Sequence, residues 1–123
     1  MSSPPLLGLR SLIYAVNNIE AAKRWYTAVL GQAPYFDSPA YVGFNVGGFE
    51  LGLWATEQPV EVGGAHGYWG VEDIDAEYSR LLELGAREHT PVQNVGGEIR
   101  LGTVLDPFGN ILGVIYNPGF NVE

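Results

Sequence analysis

The sequence predicts one α+β domain of two βαβββ modules, whose curved mixed sheets surround a cavity and carry the helices on their outer faces. At 123 residues the chain can form one hydrophobic core and is too short for two ordinary domains. It also repeats itself: three residues of the first half recur at the same spacing in the second, namely Val16, Ile19 and Ala21 as Val71, Ile74 and Ala76. We expect a single domain over 1–123, with modules at about 8–56 and 66–118 and a linker at about 57–65.

Each module opens with a strand and a short polar turn, followed by a helix that stops at a glycine. Asn18 and Asp73 are suited to cap the helix N-termini, because their side chains can accept bonds from free backbone N–H groups. Gly31 and Gly85 can adopt the left-handed conformation at the C-termini. Apolar residues at helical spacing then predict helices over Ile19–Leu30 and Ile74–Leu84.

A strand-rich stretch follows each helix. The predicted strands are Ala33–Phe36, Tyr41–Val46 and Phe49–Ala55, then Glu88–Gln93, Glu98–Leu105 and Ile111–Tyr116. Gly47-Gly48 predicts a tight hairpin, and the segment from Asp106 to Asn110 predicts a turn, because proline presets φ and glycine tolerates positive φ.

Composition excludes several classes of function. The formal net charge of −8 disfavours binding to nucleic acid and to anionic membranes, and it favours a cationic ligand. No apolar run approaches the roughly 20 residues of a membrane span. The absence of cysteine excludes disulfides and thiolate sites. Met1–Pro5 lack a secretory pattern, so we expect a cytoplasmic protein.

Four segments in order resemble the vicinal oxygen chelate superfamily, which contains glyoxalase I, bleomycin-resistance proteins and extradiol dioxygenases. They are Val16–Tyr26 with Val29-Leu30-Gly31, Gly48–Leu51, His66–Asp73 and Asp106–Asn110. The resemblance covers about Leu9 to Pro118 and rests on the order and spacing of the segments together. It implies the fold predicted above.

The resemblance also implies a site at four inner positions, which correspond here to Ser11, Glu50, His66 and Gly113. In the metal enzymes of the superfamily these positions are usually His or Gln, Glu, His and Glu around a divalent metal. Glycine offers no ligand side chain and serine is a poor ligand, so only Glu50 and His66 match. We therefore expect no complete metal site and no established cofactor, although a divalent metal at Glu50 and His66 stays open.

Strand alternation predicts which neighbours share the inner face with these positions. Glu50 and His66 are the candidate catalytic residues, as a charge partner or base and as a proton-transfer group. The candidate ligand-binding residues are Ser11, Ile13, Trp54, Tyr68, Gly113 and Ile115. The alternate residues, including Phe49 and Leu51, are expected to pack on the helices, and His89 and Arg100 are given no role.

Three functions remain open from the sequence. The first is a metal-independent protein that binds an aromatic or cationic small molecule between the sheets. The second is a divalent-metal-dependent lyase, isomerase or dioxygenase that uses Glu50 and His66. The third is a ligand-free dimeric interaction module. The resemblance implies a homodimer in which two chains complete the cup, and an open sheet has edges and a face that a second copy can cover.

Overall fold

A computed structural model describes residues 10–60 and 66–119, so residues 61–65 of the expected linker and the first residues of the first module lie outside the described part. The elements in chain order are β1 (Ser11–Val16), α1 (Ile19–Leu30), β2 (Phe36–Asp37), β3 (Tyr41–Val46), β4 (Phe49–Ala55), β5 (His66–Gly70), α2 (Ile74–Glu83), β6 (Arg87–Gly96), β7 (Ile99–Leu105) and β8 (Ile111–Tyr116). The predicted order βαβββ, repeated twice, is confirmed.

The strands form two separate four-stranded mixed sheets with matching topology. The first sheet has the order β1-β4-β3-β2 and the second β5-β8-β7-β6. In each sheet the module's opening strand pairs in parallel with the last strand, and the other neighbours are antiparallel. Neither sheet closes into a barrel, so each keeps one face for a helix and one open face.

The helix signals in the sequence act as predicted. The side chains of Asn18 and Asp73 accept bonds from the backbone N–H of Ala21 and Ala76, each at 3.1 Å. Gly31 ends α1 in the left-handed region with φ of 69°. The second helix ends one residue earlier than predicted, and Gly85 with φ of 108° follows its cap, Leu84.

Strand boundaries differ from the prediction at three places. At one of them the difference is a single residue, since β7 begins at Ile99 and not at Glu98. The strand expected at Ala33–Phe36 is β2, which begins only at Phe36, because Pro34 has no N–H to donate to a ladder. The strand expected at Glu88–Gln93 runs from Arg87 to Gly96, because bulges let it continue along β7 to the next hairpin.

The two modules share one hydrophobic core. It contains the inward-facing residues of both sheets and one side of each helix, led by Tyr14, Tyr26, Leu51, Leu53, Tyr78, Val104, Leu112 and Val114. The prediction for Leu51 is confirmed, whereas Phe49 is 46% exposed. Phe49 directly follows the Gly47-Gly48 turn and pairs with Val46 at the turn end of the β3–β4 hairpin.

Buried hydrogen bonds also join the modules. The Tyr14 hydroxyl donates to the carbonyl of Ile111 at 2.5 Å, and the Tyr26 hydroxyl donates to Asp106 Oδ2 at 2.6 Å. Asp106 also accepts from two backbone N–H groups of the predicted turn. Burial and the nearby Asp106 carboxylate raise the pKa of both tyrosines, which remain neutral donors. Within the described ranges, neither helix is long and apolar enough to cross a bilayer.

Candidate functional site

Glu50 lies at the centre of a cluster of hydroxyl groups on the open face of the first sheet. Ser11 pairs with Glu50 in the β1–β4 register, and its hydroxyl donates to Glu50 Oε1 at 3.1 Å. Tyr41 on β3 donates to the same oxygen at 2.7 Å. Tyr35, just before β2, donates to Oε2. Ser11 and Glu50 are therefore in contact, and two tyrosines that the sequence interpretation missed complete the cluster.

Two glycines make room for this cluster. Tyr41 stands beside Trp54 in the β3–β4 register, and its ring leans along β4 across Gly52 to reach Glu50. A Cβ at Gly52 would lie 2.0 Å from the Tyr41 hydroxyl oxygen. Gly43 is the register partner of Gly52, and a Cβ there would lie 2.9 Å from Glu50 Oε2. Larger residues at these positions would push the tyrosines or the carboxylate out of place.

The hydroxyl groups hold Glu50 in its ionised form. The hydrogen bond from Tyr35, followed by those from Tyr41 and Ser11, keeps the pKa of Glu50 below its usual value. The same carboxylate raises the pKa of Tyr35, and burial together with the bond to Glu50 raises the pKa of Tyr41. A carboxylate that accepts three such bonds is a weak base, so this arrangement favours binding by charge over proton abstraction.

The open face of the second sheet carries His66, Tyr68 and Gly113. Tyr68 faces Gly113 in the β5–β8 register, and its ring lies over the glycine. A Cβ at Gly113 would lie 2.5 Å from Tyr68 Cδ1. The ring centroids of His66 and Tyr68 are 5.0 Å apart. The space that a side chain at position 113 would use is thus filled by a tyrosine ring.

His89 belongs to this same face, although the sequence interpretation gave it no role. Its Nδ1 lies 2.9 Å from the hydroxyl oxygen of Thr103, which is buried on β7 opposite Gly113. A bulge in β6 shifts the register between Glu88 and Thr90, on either side of His89, so alternation along the strand does not predict the face on which His89 lies. His89 therefore lies in the same row of residues as Gly113 and Tyr68.

The open faces carry large apolar side chains as well. The exposed fractions are 47% for Ile13, 52% for Trp54 and 45% for Tyr68, whereas Ile115 is half-buried. These side chains stand on the faces turned away from the shared core. Such exposure of aromatic groups beside a few polar ones is typical of a binding surface.

The four positions implied by the resemblance fall into two groups. Ser11 and Glu50 are bonded to each other on one sheet, while His66 stands beside Tyr68 and Gly113 on the other. No hydrogen bond or ion pair joins Glu50 to His66. A depression of about 250 Å³ lies beside Glu50. Seven residues line it, all from the first module: Arg10, Ser11, Tyr35, Asn45, Gly48, Phe49 and Glu50.

These residues do not fit the divalent metal of the superfamily's enzymes. Three hydroxyl groups already use three of the about four lone-pair positions of the Glu50 carboxylate, and the tyrosine ring fills the space at Gly113. Within residues 10–60 and 66–119, no group of three or more His, Cys, Asp or Glu residues could hold a metal ion. The donor set itself, one hydrogen-bonded carboxylate and one imidazole on the other sheet, is insufficient for a tight site.

Comparison with known proteins adds the family and the fold. The profile of the Glyoxalase/Bleomycin resistance protein/Dioxygenase superfamily matches residues 8–114. No curated protein matches the chain in sequence.

Three solved structures illustrate the similarity in fold. A glyoxalase-related enzyme from Fulvimarina pelagi is 21% identical with a TM-score of 0.78, over 96% of this chain and 94% of that one. A lactoylglutathione lyase from Agrobacterium tumefaciens is 20% identical with a TM-score of 0.77, over 95% and 100%. A fosfomycin resistance protein from Mesorhizobium loti is 18% identical with a TM-score of 0.73, over 93% and 95%. At these identities the comparison establishes the fold alone.

Proposed function

Because the chain belongs to the Glyoxalase/Bleomycin resistance protein/Dioxygenase superfamily, we propose that it binds an aromatic or cationic small molecule between its sheets without a complete metal site. The observation that carries this proposal is the state of Glu50. Its carboxylate accepts bonds from Ser11, Tyr35 and Tyr41, which leaves it charged and fixed in position but poorly available to a metal.

The open faces offer the chemistry of such a binding site. Ile13 and Trp54 on the first sheet, and Tyr68 and Ile115 on the second, can provide apolar walls. Glu50 can attract a positive group, and His66 can donate or accept a hydrogen bond. The small residue Gly113 lets Tyr68 lie flat, which supports a stacked aromatic ligand.

We propose further that a second copy of the chain completes the site. Both open faces lie opposite the shared core, so a single chain does not fold one face onto the other. A symmetric dimer that brings the Glu50 face of one copy to the His66 face of the other would bury the exposed Ile13, Trp54 and Tyr68. A cytoplasmic location remains a prediction from the sequence.

The neighbours in fold include both a lyase and a resistance protein, so the fold does not choose between binding and catalysis. The choice for binding rests on the residues of this chain. A metal-dependent reaction at Glu50 and His66 would require the three hydroxyl groups to release the carboxylate.

The proposal is tested by native mass spectrometry and elemental analysis of protein purified without added metal. We expect a dimer with far less than one metal per chain, and a small molecule retained after purification or exchanged in by added aromatic compounds. One equivalent of metal that is lost in His66→Ala but kept in the matched variant His89→Ala would contradict the proposal. A monomer at high concentration would contradict the shared site.

A further inference from the structure

All three hydroxyl groups around Glu50 donate their protons to the same acceptor, the Glu50 carboxylate. Ser11, Tyr35 and Tyr41 each donate to the carboxylate. A hydroxyl group has one proton to donate and two lone pairs to accept with. Once the proton is committed to Glu50, each oxygen can only accept from a ligand.

The carboxylate also keeps room for one more donor. A carboxylate offers about four lone-pair positions. Two bonds reach Oε1, from Ser11 and Tyr41, and one reaches Oε2, from Tyr35. The cluster thus presents acceptors and a negative charge, and its own hydroxyl groups offer a ligand no polar hydrogen.

Two aromatic residues are among those that line the same depression. Tyr35 is 64% exposed and Phe49 is 46% exposed, and both line the depression with Glu50. The faces of such rings attract cations. Arg10 and Asn45 line the depression as well. Arg10 already has an interaction partner, so Glu50 is the group of the lining that attracts a positive charge.

We propose that the depression at Ser11, Tyr35 and Glu50 recognises the ammonium group of a primary amine, an inference that rests on the proposed ligand-binding function. A primary ammonium carries a positive charge and three N–H donors, which match the carboxylate and the outward lone pairs of the hydroxyl oxygens. A carboxylate or phosphate placed against the cluster would meet the lone pairs of its hydroxyl oxygens and the like charge of Glu50. A quaternary ammonium has the charge but no N–H donor, and an alcohol has a donor but no charge.

Four related probes separate these cases on the full-length protein. Benzylamine, benzyltrimethylammonium, benzyl alcohol and benzoate share an aromatic ring and differ in charge and donors. In calorimetric or NMR titrations we expect benzylamine to bind about tenfold or more tightly than benzyl alcohol, since a hydrogen bond to a charged group is worth about that factor. Benzyltrimethylammonium and benzoate should both bind more weakly than benzylamine.

A matched pair of variants places the ammonium at Glu50. Glu50→Gln removes the charge while keeping the shape, and it should weaken benzylamine binding about ten- to a hundredfold. Glu83→Gln removes the same charge from the exposed surface of α2 and should leave binding unchanged. Tyr35→Phe keeps the ring and removes one acceptor, so it should weaken binding by a smaller factor and serves as a second variant if Glu50→Gln folds poorly.

The proposal fails if benzoate or benzyl alcohol binds as tightly as benzylamine, or if Glu83→Gln weakens binding as much as Glu50→Gln. The second result would mean attraction by the net charge alone. If native mass spectrometry finds a retained small molecule that benzylamine does not displace, the amine proposal fails and the ligand-binding function stands. If neither a retained molecule nor any probe binds, both fail.

Discussion

Gly52→Ala is the substitution that tests the construction of the Glu50 cluster most sharply. A Cβ at position 52 would lie 2.0 Å from the hydroxyl oxygen of Tyr41, whereas ordinary contact begins at 3.4 Å. The colliding group is the end of a side chain, so the least costly response is for the Tyr41 phenol to swing away. That movement breaks its 2.7 Å bond to Glu50.

The expected consequences follow from that lost bond. We expect the free energy of unfolding to fall by about 1–2 kcal/mol, which is the range for a partly exposed hydrogen bond to a charged group with some repacking. The pKa of Glu50 should rise, because one of the bonds that lowers it is lost. Urea denaturation measures the first change, and carbon-detected NMR titration of the Glu50 side chain measures the second.

Gly70→Ala is the matched control, since a Cβ there would meet nothing within 4 Å. It lies on the open face of the second sheet and should leave stability and the Glu50 titration unchanged. If Gly52→Ala leaves both quantities as they are in the parent protein, Tyr41 does not lie across Gly52 and the account of the cluster is wrong.

Three further predictions concern other contacts. Gly113→Ala should lower the free energy of unfolding by about 1–3 kcal/mol, because the new Cβ meets a backbone oxygen as well as a tyrosine ring. If urea denaturation gives the variant the same stability as the parent protein, Tyr68 does not lie this close to Gly113. The stability that ionised Glu50 contributes should be full above its unfolded-state pKa, near 4.5, and decline as pH falls through the lower folded-state pKa. In urea denaturation at a series of pH values, Glu50→Gln should remove this contribution to the loss of stability in acid. Tyr26→Phe leaves a buried Asp106 oxygen without its hydroxyl donor and should lower the unfolding midpoint by an amount equivalent to about 1–3 kcal/mol; an unchanged thermal midpoint would refute the role of this bond in joining the modules.

The helices and most strands could be predicted because their signals are local. Asn18 and Asp73 cap the helices as their positions in the sequence indicate, and Gly31 ends the first one. The edge strands were less predictable. Pro34 delays β2, and bulges extend β6, which depends on how β6 pairs with β7.

The chemistry around Glu50 was only half predictable. The resemblance placed Ser11 and Glu50 at inner positions, and in the structure they are register partners of β1 and β4. Tyr35 and Tyr41 were missed because they reach Glu50 by leaning across neighbouring strands. The one hint in the sequence was that Gly43 lies in the same strand as Tyr41 and that Gly52 lies in the next strand, which leaves room for a large ring. That Gly43 and Gly52 are partners across β3 and β4 became visible only in the fold.

The relation between the two open faces could not be read from the sequence. A strand with alternating apolar residues has one buried face, but alternation does not say whether the other face meets its counterpart within the chain. Here each sheet packs its apolar face into the single core, so the opposite faces, which carry Glu50 and His66, are open. That arrangement is why the proposed site needs a second copy.

We propose that three hydroxyl groups, in place of a metal, hold the carboxylate of Glu50. A titration of the purified protein with Zn²⁺ and then Mn²⁺, followed through the NMR signals of the Glu50 carboxyl and the His66 ring, tests it most directly. We expect one equivalent of either metal to leave both signals in place. Shifts or broadening of both signals, saturating together at one equivalent, would contradict it.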